Sequence, residues 1–442
     1  MEKTLTNNVA SNNFLERKFK LKEHNTTIST EITAGITTFM TMAYILIVQP
    51  MFMSAAGMDT GAVTVVTAIL SAAFSIIMGL YTNRPFAMAP AMGGNAFLAY
   101  TLVAGGMVTW EVGMGMVFLS GIAFLVLTIF GLREIIVTAI PKNLKFAIGV
   151  AVGFFIAMVG FKNGNLMTIK DGTILMGSIT DPRTIMSLTG LVITIALVLN
   201  RVKGGVLIAI LITTLIGIPL GVTTIPDSFF SMPPSIMPIA FKLNIWDSLK
   251  WSFFPLIFTF FVGDFFSTLA TLLGVSAQAN LLDKDGNLPE IDKPFLVDSI
   301  ATIVGAVLGS TTITTFLESA AGVEAGGRTG LTAITTGLCF VVTLFLTPIV
   351  YIIPSAATAP ALIFIGILMM TSMKYIDMDD MSEFVPAIIT VMFTVFTDNM
   401  ATGMSIGILS HVIIKILTKR YKELNLPIIL LSIPLVMYFV FI

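Results

Sequence analysis

The chain has 442 residues, of which 56% are hydrophobic and only 11% charged, with a mean hydropathy of +0.95. That balance excludes a soluble globular protein and specifies a polytopic membrane protein. A formal net charge of -1 leaves no basic footprint for nucleic acid, and no long charge block marks a tail that binds an acidic partner.

The first thirty residues are polar, carry Lys3, Arg17, Lys18, Lys20 and Lys22, and lack the apolar core of a cleavable signal peptide. Residues 1–31 therefore read as a cytoplasmic tail. Apolar length and Gly/Pro punctuation then place helices near 32–50, 61–81, 86–104, 112–131, 144–161, 184–201 and 205–222. A polar, Pro-rich link at 223–248 separates these from a second set near 249–275, 294–310, 311–327, 330–352, 358–373, 385–397 and 400–418. The fold class expected is all-α, with about fourteen membrane spans in two seven-span repeats, 32–222 and 249–418. An odd number of spans in the first half makes the second enter the membrane in the opposite sense.

The third span of each half is the irregular one. In the first it reads PFAMAPAMGGNAFLAYT, where prolines and paired glycines weaken a continuous helix. In the second it reads TTITTFLESAAG, rich in Thr. Interrupted segments at corresponding positions point to a midplane binding site, because unpaired backbone at that depth is tolerable only where it lines a cavity. Lys and Arg in short loops set orientation. With the N-terminus inside, Arg84, Arg133, Lys142, Lys145, Arg201, Lys203, Lys284, Lys293, Arg328 and Lys374 fall on the cytoplasmic side. Lys415, Lys419, Arg420 and Lys422 join them if 385–397 and 400–418 are separate spans divided at Asp398 and Asn399. Residues 419–442 remain as a C-terminal hydrophobic segment that either spans or lies along its neighbours.

Two acids interrupt apolar sequence: Asp264, near the middle of WSFFPLIFTFFVGDFFSTLATLLGV, and Glu318, in the second broken span. An ionisable group at that depth costs a few kcal/mol at least, so it marks a functional site or, as the plainer alternative, a pairing made for packing. Ser319 to Gly322 are small and could open a half-helix whose N–H groups face the cavity. A carboxylate balanced between burial and such donors can exchange a proton near neutral pH. Asn95 in the first break can donate and accept, to a ligand or across helices. Gly93 and Gly94 allow close approach of a ligand or of a neighbouring helix. Glu324 and Arg328 read as a local pair.

Other chemistries are excluded. The two histidines, His24 and His411, support neither a His-based metal cluster nor a Ser-His-Asp triad, and no Gly-Lys occurs to build a P-loop. No cofactor is expected, and two acids in broken helices leave an intramembrane enzyme as a minor alternative. Cys339 is the single cysteine and reads as a buried small hydrophobe. Phe97, Phe265 and Phe316 could stack on a planar ligand but read singly as packing.

The stretches EITAGITTFMTMAYILIVQP, MAPAMGGNAFLAYT, FVGDFFSTLATLLGV and TTFLESAAGVEAGGRTGLTA resemble, in order and spacing, the azaguanine-type purine permease branch of the nucleobase:cation symporters. The resemblance covers the chain from about Phe14. It implies a core domain of spans 1–4 and 8–11, a gate domain of spans 5–7 and 12–14, and extended segments of spans 3 and 10 meeting at the substrate site. By the family pattern Glu318 binds the purine, Asp264 contributes to binding and proton coupling, Glu318 shares in that coupling, and Asn95 and Gly94 support the site. The backbone at Leu317 and Ser319 touches substrate. Guanine's adjacent N–H donors suit a carboxylate acceptor in a dry site. The chain departs from the branch at Ser267, where a second acid is frequent, at Met92-Gly93-Gly94-Asn95, where MGLNA is frequent, and at Gln49, where Asn is usual. The expected function is proton-coupled import of purine bases, guanine or hypoxanthine first, with adenine, xanthine or uracil as the alternatives. The expected setting is the plasma membrane, with a possible homodimer through the gate.

Overall fold

A computed structural model describes residues 14–131, 140–170, 173–224, 230–283, 288–397 and 399–441. Lys3, Arg133, Lys284 and Asp398, used above to set orientation and boundaries, lie outside the described residues. The short helix Phe14–Phe19 (α1) precedes Ile28–Met42 (α2) and Ile45–Ala55 (α3), which form one span with a tightened turn at Ala43–Tyr44. Thr60–Thr82 (α4) follows. The first broken span is a strand, Met88–Pro90 (β1), then Met92–Ala96 (α5), then a wide π-helical turn over Phe97–Ala104. Trp110–Ile129 (α6), Lys142–Asn163 (α7), Pro182–Leu199 (α8) and Gly205–Ile216 (α9) complete the first half.

The linker carries a small helix, Ile245–Ser248 (α10), docked on α6 by the Ser248 hydroxyl donating to the Val112 carbonyl at 2.7 Å. Phe254–Gln278 (α11) and Asp292–Leu308 (α12) lead to the second broken span: strand Ile313–Thr315, then Ser319–Glu324 (α13). Gly330–Thr343 (α14), Thr347–Ile352 (α15), Ser355–Met370 (α16), Met381–Phe396 (α17), Met400–Leu417 (α18) and Leu426–Phe441 (α19) follow. Among the described residues nine helical stretches are long and apolar enough to cross a membrane, and Met92–Ala104, Gly205–Ile216 and Met381–Phe396 are shorter apolar helices. Asp292–Leu308 and the broken segment 313–324 occupy the other two positions where spans were expected.

Start signals in the sequence act as caps. Asp59 accepts from the Ala62 N–H at 2.7 Å, Asp181 from Arg183 at 2.7 Å beside Pro182, and Asn399 from Thr402 at 3.1 Å. The last of these makes α17 and α18 separate helices, packed side by side.

Two departures from an all-helical chain occur. Residues Met167–Lys170 (β2) and Thr173–Met176 (β3) pair antiparallel as a hairpin after α7, which the apolar pattern did not reveal. The other pair joins the halves: β1 runs antiparallel to Ile313–Thr315 (β4), with Met88 opposite Thr315 and Pro90 opposite Ile313. Pro90 has no N–H, so it is tolerated only at the end of a ladder. β-Branched Ile and Thr favour the extended form in β4.

Helices pack in two groups. In one, α14 lies against α2 and α4, and α6 lies against α11 and α12; in the other, α7 lies against α16 and α17, α8 against α9 and α16, and α17 against α18. The α4–α14 crossing is close enough that a Cβ on Gly330 would fall 1.9 Å from the Gly79 carbonyl oxygen. α19 runs along α18 from the Leu417 end and also touches α11 and residues 251–253, at the start of α11. It therefore lies between the two groups, with Ile428 and Leu435 buried and Ile429, Ile433 and Val436 exposed at helical spacing.

Buried charge also holds the helices together. Glu31, fully buried at the start of α2, accepts from the N–H of Arg328 at 2.9 Å and of Thr329 and Thr332 at 3.2 Å, and from the Thr332 hydroxyl at 2.6 Å. The carboxylate caps α14 from another span, which the sequence reading missed because an acid in a first turn is ordinary. Replacing Glu31 with Ala leaves those donors without their acceptor and should cost about 3 kcal/mol, read as a lowered thermal midpoint of the detergent-purified protein.

The expected Glu324–Arg328 pair is not formed. Arg328 donates through Nη1 to the Val323 and Gly327 carbonyls at 2.6 and 2.7 Å, and Glu324 accepts from Gln278 Nε2 at 2.8 Å. Backbone carbonyls in α13 and in the turn after it take the guanidinium instead. Lys415, expected as a loop charge, is buried instead, with Nζ 2.7 Å from Glu383 Oε1 and 2.5 Å from Glu423 Oε2. Nearby, the Ser382 hydroxyl, Arg420 and the Ser382 N–H hold the Asp380 carboxyl down at about 2, so this cap stays ionised throughout the physiological range.

Candidate functional site

The β1–β4 ladder brings the two breaks together, and the polar side chains gather round it. The Ala91 N–H donates to the Thr312 carbonyl at 2.8 Å and the Phe316 N–H to the Ala87 carbonyl at 2.9 Å, extending the pairing at both ends. Asn95 is fully buried one turn into α5, and its Oδ1 accepts from the Thr311 hydroxyl. Its Nδ2 has no partner among the described residues. Gly94 fits because Thr312 packs on it: an added Cβ would fall 2.9 Å from Thr312 Oγ1. Gly94 thus permits a close approach of Thr312, and Phe260 of α11 lies beyond it.

Asp264 sits one helical turn after Phe260, 3% exposed, and its Oδ2 accepts from the Thr302 hydroxyl of α12 at 2.8 Å. A second acid, not identified from the sequence, completes the arrangement. Asp298 of α12 is fully buried and accepts from the Thr268 hydroxyl of α11. Thr268 is four residues after Asp264, and Thr302 is four residues after Asp298, so each helix presents an acid and a threonine on one face to its counterpart. Both threonines also reach β4. Thr302 Oγ1 accepts from the Ile313 N–H at 3.1 Å, and Thr268 Oγ1 lies 2.6 Å from Thr314 Oγ1. One oxygen of each carboxylate, Oδ1, has no partner among the described residues. Asp298 carried the same signal as Asp264, an acid inside the apolar run PFLVDSIATIVGAVL, but its nearness to Asp292 and Lys293 makes it resemble a helix-end charge.

Glu318 lies at the other end of this strand, as the N-cap residue of α13. Its side chain is not hydrogen-bonded to either aspartate; Oε1 accepts from the Tyr44 hydroxyl at 2.5 Å. Thr41, one turn earlier in span 1, donates to the Glu318 carbonyl at 3.4 Å. Glu318 is partly exposed and Leu317 is 60% exposed, within a run from Ser310 to Phe316 that is otherwise buried. The strand therefore places Glu318 where the chain passes from buried backbone to the exposed Leu317. Ser319 is buried, with Oγ accepting from the Ala87 N–H at 3.0 Å. The N–H groups of Ser319, Ala320 and Ala321 bond the carbonyls of Phe316, Leu317 and Glu318 at 3.1, 2.9 and 3.0 Å. The expectation that these N–H groups face a ligand is corrected accordingly: a tight turn uses them.

The aromatics are packing residues. Phe97 lies 5.0 Å from Phe260, and Phe265 stacks on Phe295 at 5.2 Å, all of them buried. A 360 Å³ cleft lined by His24, Asn25, Asn280 and Arg328, among others, touches none of the three acids. Among the described residues no group of three or more His, Cys, Asp or Glu side chains could hold a metal ion. The arrangement offers a part-buried carboxylate with a phenol on it, joined by a strand to two buried, cross-bonded carboxylates.

Comparisons with known proteins agree over nearly the full length. A family model described as Permease family (Xan_ur_permease) matches residues 29–406. A putative permease of Methanocaldococcus jannaschii is 42% identical over 97% of this chain and 98% of its own. The adenine permease AdeP of Escherichia coli K12 is 38% identical over 99% and 98%, and the guanine/hypoxanthine permease PbuG of Bacillus subtilis 36% over 96% and 99%. In fold, the chain is similar to the transmembrane domain of the cyanobacterial bicarbonate transporter BicA. The TM-score is 0.60 at 14% identity, covering 86% of this chain and 97% of that one. SLC26A9 gives a TM-score of 0.63 at 14% identity, covering 92% and 67%.

Proposed function

This chain belongs to the Permease family (Xan_ur_permease), and from that premise we propose that it is a proton-coupled importer of purine nucleobases, guanine and hypoxanthine first. It is a multi-pass membrane transporter and not an enzyme. The purine reading is supported by relatives named as guanine/hypoxanthine and adenine permeases. The observation that carries it is the Glu318 carboxylate just after β4, bonded by Tyr44 and beside the exposed Leu317. A carboxylate in a water-poor cavity accepts N–H donors of a base with charge-assisted strength. Proton coupling is assigned to Glu318 and Asp264, with Asp298 added to them because it shares the threonine network of Asp264.

The fourteen-span count, with a core of spans 1–4 and 8–11 and a gate of spans 5–7 and 12–14, belongs to the same proposal; the two packing groups of helices support it. Transport then proceeds by movement of core against gate. Contacts that such movement must break include Asn163 Nδ2 of α7 donating to the Tyr100 hydroxyl at 2.9 Å and Thr358 of α16 against Met51 Sδ at 2.9 Å. Tyr100 lies on the π-helical turn, a form that recurs at functional sites. Basic residues in short loops support a cytoplasmic N-terminus, and the plasma membrane as the setting and a homodimer through the gate complete the proposal.

Adenine selectivity is the second reading, favoured by the hydroxyl that Tyr44 places on Glu318. Uptake of labelled guanine, hypoxanthine, adenine and uracil into cells lacking their own carriers, with and without a protonophore, tests both. Purine accumulation that collapses with the protonophore is expected. Uptake of no base would overturn the purine reading, and accumulation indifferent to the protonophore would remove the proton from it.

A further inference from the structure

Glu318 has one side-chain partner among the described residues, and that partner has a chemistry the carboxylate lacks. Tyr44 is 2% exposed in the tightened turn between α2 and α3. Its hydroxyl donates to Glu318 Oε1 at 2.5 Å and contacts no other polar side chain among the described residues. A carboxylate by itself presents only acceptors, whereas a phenol can turn its proton toward an acceptor. Together they present an acceptor beside a donor. The ring is fixed by the apolar core around it, so only the hydroxyl proton has to rotate.

We propose that Tyr44 is a substrate-reading residue: as the base docks an N–H on Glu318, the Tyr44 hydroxyl turns from the carboxylate to the ring acceptor next to that N–H. This rests on the purine reading of the site. Every purine base carries such donor-acceptor edges. In adenine they are the exocyclic amine beside N1 or N7 and N9–H beside N3. Guanine alone adds two adjacent donors, N1–H and the 2-amino group, which a bare carboxylate satisfies without help. Tyr44 therefore makes the site read adenine and hypoxanthine as well as guanine, and its removal tilts the site toward guanine. Discrimination of this kind is strong because a buried polar group left unpaired is penalised.

The test pairs one variant with three adenine analogues. In wild type, competition against labelled adenine uptake by 1-deazaadenine, 3-deazaadenine and 7-deazaadenine removes each ring acceptor in turn. One of the three is expected to compete roughly fivefold or more weakly than adenine, the size of one lost hydrogen bond. In Tyr44→Phe the concentration of adenine for half-maximal uptake should rise by a similar factor relative to guanine, and the penalty on that analogue should vanish, as a double-mutant cycle requires. Equal competition by all three analogues and adenine in wild type overturns the inference, even if the variant does not fold. So does a variant that weakens guanine and adenine alike with the analogue penalty intact, since that marks a structural role. Wild-type protein that takes up no purine overturns the purine reading itself, a result distinct from either of these.

Discussion

Glu318→Gln should abolish purine uptake, with a loss of at least about a hundredfold in binding. The substitution keeps the shape of the side chain and removes its charge, so the hydrogen bonds it makes drop from charge-assisted to neutral strength. It also replaces one acceptor oxygen with an NH₂ donor. That donor must face either the Tyr44 hydroxyl, which now donates to Glu318 at 2.5 Å, or the N–H edge of a base. Facing the base, it meets a donor with a donor, which costs about 1–3 kcal/mol on top of the weakened bond; facing Tyr44, it makes the hydroxyl turn away and accept, and leaves the base one neutral acceptor in place of a carboxylate. Together these terms reach the hundredfold range. The fold should survive, because Glu318 caps α13 without a side-chain cap bond and the turn that follows is held by backbone bonds. Equilibrium binding of labelled guanine to purified protein, with size-exclusion behaviour as the control, measures the loss. A variant that folds and binds within threefold of wild type would remove Glu318 from the site.

Much of this arrangement was legible in the sequence, for reasons that differ by residue. Span positions follow from apolar length, which the bilayer enforces. The breaks follow from Pro85, Pro90 and the glycine pair, and from a run of β-branched Thr, each of which makes helix locally unfavourable. Asp264 and Glu318 stood out because an acid amid apolar residues has few explanations. What sequence could not supply is partnership across helices. Tyr44 in MTMAYILIVQP is indistinguishable from a packing aromatic until α2 is laid beside α13. Glu31 reads as an ordinary first-turn acid until it meets the N–H groups of α14 from another span. Lys415 looked like a loop charge because its acids, Glu383 and Glu423, lie on other elements. The β2–β3 hairpin has no apolar alternation that sets it apart from the helix end before it.

Asp298→Asn is expected to separate binding from coupling. The cross-bonded quartet of Asp264, Thr268, Asp298 and Thr302 buries two carboxylates that are 3% and 0% exposed, each with one oxygen without a partner among the described residues. The side-chain hydrogen bonds to both come from threonine hydroxyls, not from Lys or Arg. Two unmatched negative charges at that depth are unfavourable by several kcal/mol, and a proton is the smallest cation that relieves them. Asn retains the volume of Asp298 and an acceptor for Thr268, so the α11–α12 contact and β4 should stay in place. It also supplies permanently the neutrality that a proton supplies reversibly. Purified variant protein in liposomes should therefore exchange labelled for unlabelled purine at a rate within a few-fold of wild type. Under an imposed pH gradient, however, it should bring internal base only level with external, where wild type concentrates it about tenfold per pH unit for one proton per base. Concentrative uptake by Asp298→Asn would take the proton off Asp298 and leave Asp264 and Glu318 to carry it. Loss of exchange together with accumulation, in a variant that still folds, would instead place Asp298 in the substrate's own binding site, since the threonine link to β4 runs from these carboxylates toward Glu318.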